Sequence, residues 1–204
     1  MKKRTACLGL IAMIVGACAG TRHPSRVDVA RPPSSGELFA RGKQLAARGD
    51  ALRGEQYLLM AMRAGYPEDR VIVPLVRACI ASARLRAALA HAQPYLQRRP
   101  EAWQLRYLTA AIHLALGQPA EALAELRRLL AQRPSATHAH YLMGIALRDG
   151  LGDPLAARAS FEAYLQGAPR GSRAPEVLAW LAEQPLPQSA VEAAGAAQRA
   201  DAMP

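Results

Sequence analysis

The side chains able to do chemistry in this 204-residue chain are spaced in ways that work against it. His138 and His140 come nearest to a metal-binding pair, yet a separation of two residues in a helix puts them on different faces, and no nearby cysteine or histidine completes a ligand set. Glu121 and Glu125 stand one helical turn apart, where a carboxylate pair would sit for general acid-base work. With Arg127 and Arg128 beside them they read instead as a solvated, charge-balanced outer face. The serines, at positions 25, 34, 35, 82, 135, 160, 172 and 189, show no nucleophile elbow and no triad spacing. Gly150 and Gly152 are followed by Asp153, not by the lysine that a phosphate-binding loop presents. The sequence thus predicts no catalytic residue, no bound metal and no cofactor.

The cysteines carry a more specific signal. Lys2, Lys3 and Arg4 make a charged start, and residues 6–15 form an apolar run too short to span a bilayer core as a mature helix. The run ends in Val15-Gly16-Ala17-Cys18, an aliphatic residue and two small ones before a cysteine. This segment resembles the lipobox of bacterial lipoproteins. The resemblance implies a signal peptide over residues 1–17, cleavage before Cys18 and lipid attached to Cys18. Small residues there let a peptidase reach the backbone, and several acyl chains hold a protein on a membrane where one would not. Ala19 stands where such lipoproteins commonly carry an aspartate for inner-membrane retention, so the resemblance points to the outer membrane, with the domain facing the periplasm. Residues 18–34, with Pro24, Pro32 and Pro33 and no apolar period, read as a lipidated flexible tether with a reach of about 20–25 Å. Cys7 would leave with the signal and Cys18 would be acylated, so no intramolecular disulfide is expected. Cys79, in the middle of an apolar stretch, reads as a small core residue.

Composition fixes the class of element that positions these groups. Hydrophobic residues make up 51% of the chain and aromatic residues only 5%, and Ala, Leu and Arg dominate. That is a mixture of helix formers, so we expect an all-α chain. Removing Lys2, Lys3 and Arg4 takes the formal net charge from +10 to +7, nearly all of it from Arg, with Lys43 the only lysine left. A periplasmic location excludes nucleic acid and leaves acidic proteins or anionic headgroups as electrostatic partners.

A search for internal repeats finds turns at positions 49, 83, 117 and 152, separated by 34, 34 and 35 residues. Five residues after each turn comes Gly54, Ala88, Ala122 or Ala157; thirteen after comes Met62, Leu96, Leu130 or Leu165; seventeen after comes Tyr66, Pro100, Pro134 or Pro169. Gly42, Ala110 and Gly144 are small before their turns, with Val76 the exception. This pattern resembles the tetratricopeptide repeat, with a Sel1-like flavour at residues 148–153. The resemblance implies a right-handed superhelical stack of about four helix-turn-helix units, at 35–68, 69–102, 103–136 and 137–171. Stacked repeats need a lid. Residues 172–184 supply a capping helix, with Ser172 as cap and Val177, Leu178 and Leu181 as its apolar stripe, and residues 185–204 read as a disordered tail. Pro74 predicts a late start for the first helix of the second unit, and Pro94 a kink in its second helix.

In stacks of this type the first helices line a concave face. By the period its fifth column holds Phe39, Val73, Tyr107 and Tyr141; Arg70, His138, Lys43, Arg77 and Arg148 flank it. An apolar ladder edged by positive charge suits envelope proteins with apolar anchors and acidic segments. The expected role is a non-enzymatic, outer-membrane-anchored scaffold that helps assemble an envelope machine, resembling the pilotins or the repeat lipoproteins of motility and secretion complexes. The alternatives are an accessory or regulator of cell-wall or outer-membrane biogenesis and, less favoured, a cryptic enzyme.

Overall fold

The computed structural model describes residues 31–184. The expected signal peptide, Cys18, most of the expected tether and the expected tail 185–204 lie outside the described residues. The described residues form nine α-helices in one compact unit that begins at Pro33: α1 (Ser35–Ala47), α2 (Ala51–Arg63), α3 (Glu68–Ala81), α4 (Leu85–Arg98), α5 (Trp103–Ala115), α6 (Pro119–Gln132), α7 (Thr137–Ile145), α8 (Pro154–Gly167) and α9 (Ala174–Glu183). No strand occurs among them, and no helix is long and apolar enough to cross a membrane. Each helix packs on its neighbour in sequence, and among the first helices α3 also touches α1 on one side and α5 on the other.

Local chemistry starts the helices. Ser34 and Glu37 form a reciprocal capping box before α1: the Ser34 backbone N–H donates to Glu37 Oε2 at 2.6 Å and the Glu37 N–H to Ser34 Oγ at 3.3 Å. Asp50 and Asp153 accept the Arg53 and Ala156 N–H groups at the starts of α2 and α8. Ser172 does not cap α9; the cap position falls on Arg173, without a side-chain bond.

Each helix pair closes through one residue in the left-handed region. Gly49, Ala83, Gly117 and Gly152 have φ of 90°, 57°, 70° and 64°. The spacing of 35 before the last of these has a structural cause: α7 runs on into a π-helical turn, Ala146–Leu151, which absorbs the extra residue before Gly152 resumes the common geometry.

Beyond the turns, small residues set how closely the pairs cross. A Cβ on Gly42 would lie 2.9 Å from Leu58 Cγ, and one on Gly54 2.9 Å from the Ala46 backbone nitrogen, so α1 and α2 meet nearly backbone to backbone. Ala88, Ala122 and Ala157 are fully buried at the equivalent crossings. Gly144 faces the Phe161 ring, which is itself 0% exposed.

The cores run along the stack as four successive clusters, around Leu58, Val71 and Leu75, then Ile72, Val76 and Leu105, then Ala110, Leu126 and Leu129, then Leu123, Phe161 and Tyr164. Leu130, at the apolar column thirteen residues after the turn, is only half-buried; Leu126 and Leu129 hold that layer. In α9 the stripe is rotated from the expected one. Val177 is buried, Trp180 packs edge-on against Phe161 at 5.1 Å, and Leu178 is 54% exposed. Positions 177, 180 and 181 share a helical face that 178 leaves.

The first of the two prolines acts differently from expectation. α3 does not start late but begins at Glu68 and continues through Pro74, because Glu68 and Asp69 favour its positive end and Val71 and Ile72 bury the turn before the proline. α4 runs as one helix through Pro94, which lies on the exposed side while Tyr95 and Leu96 enter the core.

Two substitutions of opposite sign test this geometry by thermal melting. Gly144→Ala drives a methyl into the Phe161 ring and should destabilise by about 1–3 kcal/mol. Ala83→Gly relieves a left-handed alanine and should stabilise by about 0.5–1 kcal/mol, a rise in Tm of roughly 1–4 °C. A Gly144→Ala chain that melts like wild type would show that α7 and α8 cross less closely than described.

Candidate functional site

The first helices α3, α5 and α7 are joined by a pocket of about 260 Å³. Arg77 enters from α3; Trp103, Gln104, Tyr107 and Leu108 from α5; Leu129 from α6; and Ala136, Thr137, His138 and Ala139 from the start of α7. Of the residues selected from sequence, Arg77, Tyr107 and His138 thus come together. Tyr107 is half-buried, and this burial raises its pKa against the opposing positive charge of Arg173. Arg77 and His138 are exposed and have no ion-pair partner among the described residues.

Val73 lies one pocket away, at about 250 Å³, with Asp69, Ile72, Tyr95, Glu101 and Trp103, where it packs on the core of α3 to α5. Phe39 stacks on Tyr66 with ring centroids 4.4 Å apart, and Lys43 sits 5.5 Å above its ring, so these two belong to the α1 end. Arg70 is exposed on α3. Tyr141 and Arg148 lie under the capping helix. The Tyr141 hydroxyl donates to Glu176 at 3.0 Å, its ring tilts against Phe161 and Tyr164, and Arg173 lies 5.6 Å above it. Arg148 pairs with Asp149 at 2.6 Å and faces the Phe161 and Trp180 rings. Both side chains are engaged in closing the stack.

Trp103 and Arg133 were not singled out by sequence. Trp103 is 38% exposed, and the Arg133 guanidinium lies 4.4 Å above its ring. The two are thirty residues apart in sequence and meet only because the end of α6 returns beside the start of α5. An exposed tryptophan opening a first helix was the one available hint.

A larger cavity, about 790 Å³, opens on the other side between α4 and α6, lined by Arg106, Thr109, His113, Glu125, Arg128 and Gln132 among others. Most of its polar groups satisfy one another. Arg106 Nη1 donates to Glu125 Oε2 at 2.6 Å and Nη2 to the Pro100 carbonyl at 2.7 Å; Arg128 holds the other Glu125 oxygen at 2.7 Å, and His113 Nδ1 pairs with Gln118. Arg106 Nε alone is buried without a partner among the described residues. Glu125 is therefore no solvated surface residue: its side chain is 14% exposed and Arg106's 6%. His140 pairs with the Pro134 carbonyl oxygen at 2.8 Å, while His138 faces the pocket.

Residues 73–145, from α3 to the end of α7, match the family model of the tetratricopeptide repeat. The fold is a tetratricopeptide repeat stack. Among solved structures it is similar to YrrB, described as a tetratricopeptide repeat protein with an unusual peptide-binding site, at 15% identity and TM-score 0.62, covering 70% of this chain and 73% of that one. A tetratricopeptide repeat protein from Parabacteroides merdae matches at 23% identity and TM-score 0.64 over 72% of this chain, which spans 58% of that one. MamA from Desulfovibrio magneticus matches at 20% identity and TM-score 0.62, covering 67% and 77%. At these identities the likeness is one of fold. No curated protein matches the chain.

In this repeat stack the Arg106–Glu125 pair is structural, and its removal should show the asymmetry of buried ion pairs. Glu125→Ala leaves a guanidinium buried and should cost about 3–5 kcal/mol in urea unfolding, whereas the double variant Arg106→Met/Glu125→Leu should recover most of that loss. Equal stability of wild type and Glu125→Ala would contradict it.

Proposed function

We propose that this chain is a protein-interaction scaffold that binds an extended or helical segment of an envelope protein along its first-helix face. The observation that carries this reading is the pocket on α5: an apolar floor of Trp103, Tyr107, Leu108 and Leu129 beside Arg77 and His138. Apolar anchors set in such pockets dominate peptide affinity, and cations at the rim select acidic flanks and speed encounter. The peptide-binding site described for YrrB, which shares the fold, supports the same use of the repeats. No arrangement of nucleophile, base and oxyanion donors among the described residues competes with this reading.

The second half of the proposal is the location. The lipobox-like Val15-Gly16-Ala17-Cys18 with Ala19 after it supports a lipid anchor at Cys18 in the outer membrane, with the repeats on a tether in the periplasm. A tethered scaffold of this kind serves the assembly of an envelope machine, as pilotins and motility or secretion accessories do.

Capture from detergent-solubilised envelopes tests the groove. Tyr107→Ala and Arg77→Glu, each shown to be folded by circular dichroism, should recover about tenfold less of the partner that wild type retains. Undiminished recovery by both would move the binding surface elsewhere. Labelling with a clickable fatty acid tests the anchor: wild type should be marked and Cys18→Ser should not, and equal labelling of the two would remove Cys18 as the lipid site.

A further inference from the structure

Three helices bring three different donor side chains to one point. Glu55 on α2, Cys79 on α3 and His91 on α4 place a carboxylate oxygen, a thiol sulfur and an imidazole nitrogen all within 4.8 Å of one another. Glu55 and Cys79 are buried and His91 is half-buried, so the cluster is closed by the core and approached past the imidazole. We propose that these residues form a binding site for one divalent transition-metal ion of the zinc type, which clamps α2, α3 and α4 together.

The chemistry of the donors selects the ion. Thiolate, imidazole and carboxylate together suit zinc or cobalt(II) and exclude the all-oxygen preference of magnesium and calcium. With bond lengths of about 2.0–2.3 Å, the donors of a tetrahedral ion sit roughly 3.3–3.6 Å apart. The three donors, within 4.8 Å of one another, need only small side-chain movements to reach that spacing, which leaves the fourth position of a tetrahedral ion for solvent. Arg84 Nη1 donates to both Glu55 oxygens, at 2.7 and 2.6 Å, from a side chain 47% exposed. It keeps one oxygen while the other turns to the ion, the outer contact that metal-binding carboxylates commonly have. Burial holds the metal-free Cys79 thiol protonated, its pKa pushed up to about 12. When the sulfur-metal bond forms, that proton passes to solvent.

The position gives the clamp a purpose. α3 and α4 each contain a proline that removes an intrahelical hydrogen bond, and the turn between them is closed by a left-handed alanine. A metal bond at this junction ties together the stretch whose backbone is least supported by its own local structure.

Titration of the full chain with Co²⁺ should give a thiolate-to-cobalt charge-transfer band and tetrahedral ligand-field bands that saturate at one equivalent and vanish on addition of Zn²⁺. Cys79→Ser should abolish the charge-transfer band. His91→Gln, at the half-buried position and so the safer variant for folding, should weaken binding by about tenfold or more, while His140→Gln should leave it unchanged. Circular dichroism confirms that each variant is folded; if Cys79→Ser does not fold, the comparison of wild type with His91→Gln decides. Absence of the bands in the folded wild-type chain, or full bands in the folded Cys79→Ser or His91→Gln variant, overturns the site.

Discussion

The architecture rests on the close crossing of each helix pair. At Gly42 and Gly54 the α1 and α2 backbones approach so nearly that a methyl group would collide with its neighbour, and buried alanines repeat the condition along the stack. Such contact fixes the angle at which the two helices leave the turn, and with it the direction in which every other side chain projects. The left-handed residues at 49, 83, 117 and 152 reverse the chain at the distance that this crossing demands. Where the chain has one residue more, as before Gly152, a π-helical turn takes up the excess and the crossing at Gly144 is preserved.

Once the pairs are formed, each exposes apolar residues on the face toward the next, and the clusters follow one another without a single central core. Most polar groups that this packing buries find partners on another helix. Glu55 on α2 meets Arg84 at the start of α4, and Arg106 on α5 meets Glu125 on α6. Both pairs exchange the solvation of long charged side chains for defined geometry, which tends to favour one register over its neighbours more than it adds stability. At the C-terminal end, α9 closes the last pair by drawing Tyr141, Arg148 and Phe161 into contact with Glu176 and Trp180.

The consequence for function is that the first-helix face is not uniform. Its C-terminal third is covered by the cap, its N-terminal end is a stacked Phe39–Tyr66 pair under Lys43, and the open part lies at Trp103 and Tyr107. A ladder that looks continuous in sequence is therefore divided, its open part being the pocket at Tyr107 and the adjoining one at Val73, both bordered by Trp103. The chemistry of the Tyr107 pocket, apolar below and cationic at the edge, is set by residues from four different helices.

What the sequence determined by itself was whatever repeats locally: the all-helical class, the turn positions, the small residues at the crossings and the burial of Cys79. These are constraints that a residue meets with partners close in the period, so their spacing survives in the sequence. Tertiary structure decided which side chains meet between helices. Glu125 looked solvated because its neighbours in sequence are arginines, yet the buried partner that claims it comes from α5. Arg133 reached Trp103, and Glu176 reached Tyr141, across thirty residues or more. The donors Glu55, Cys79 and His91 lie on three helices and show no ligand spacing at all. Such meetings depend on how each helix is rotated against those it packs on, and a turn of less than one residue about a helix axis is enough to move a side chain from solvent into a core, as Leu178 and Trp180 show.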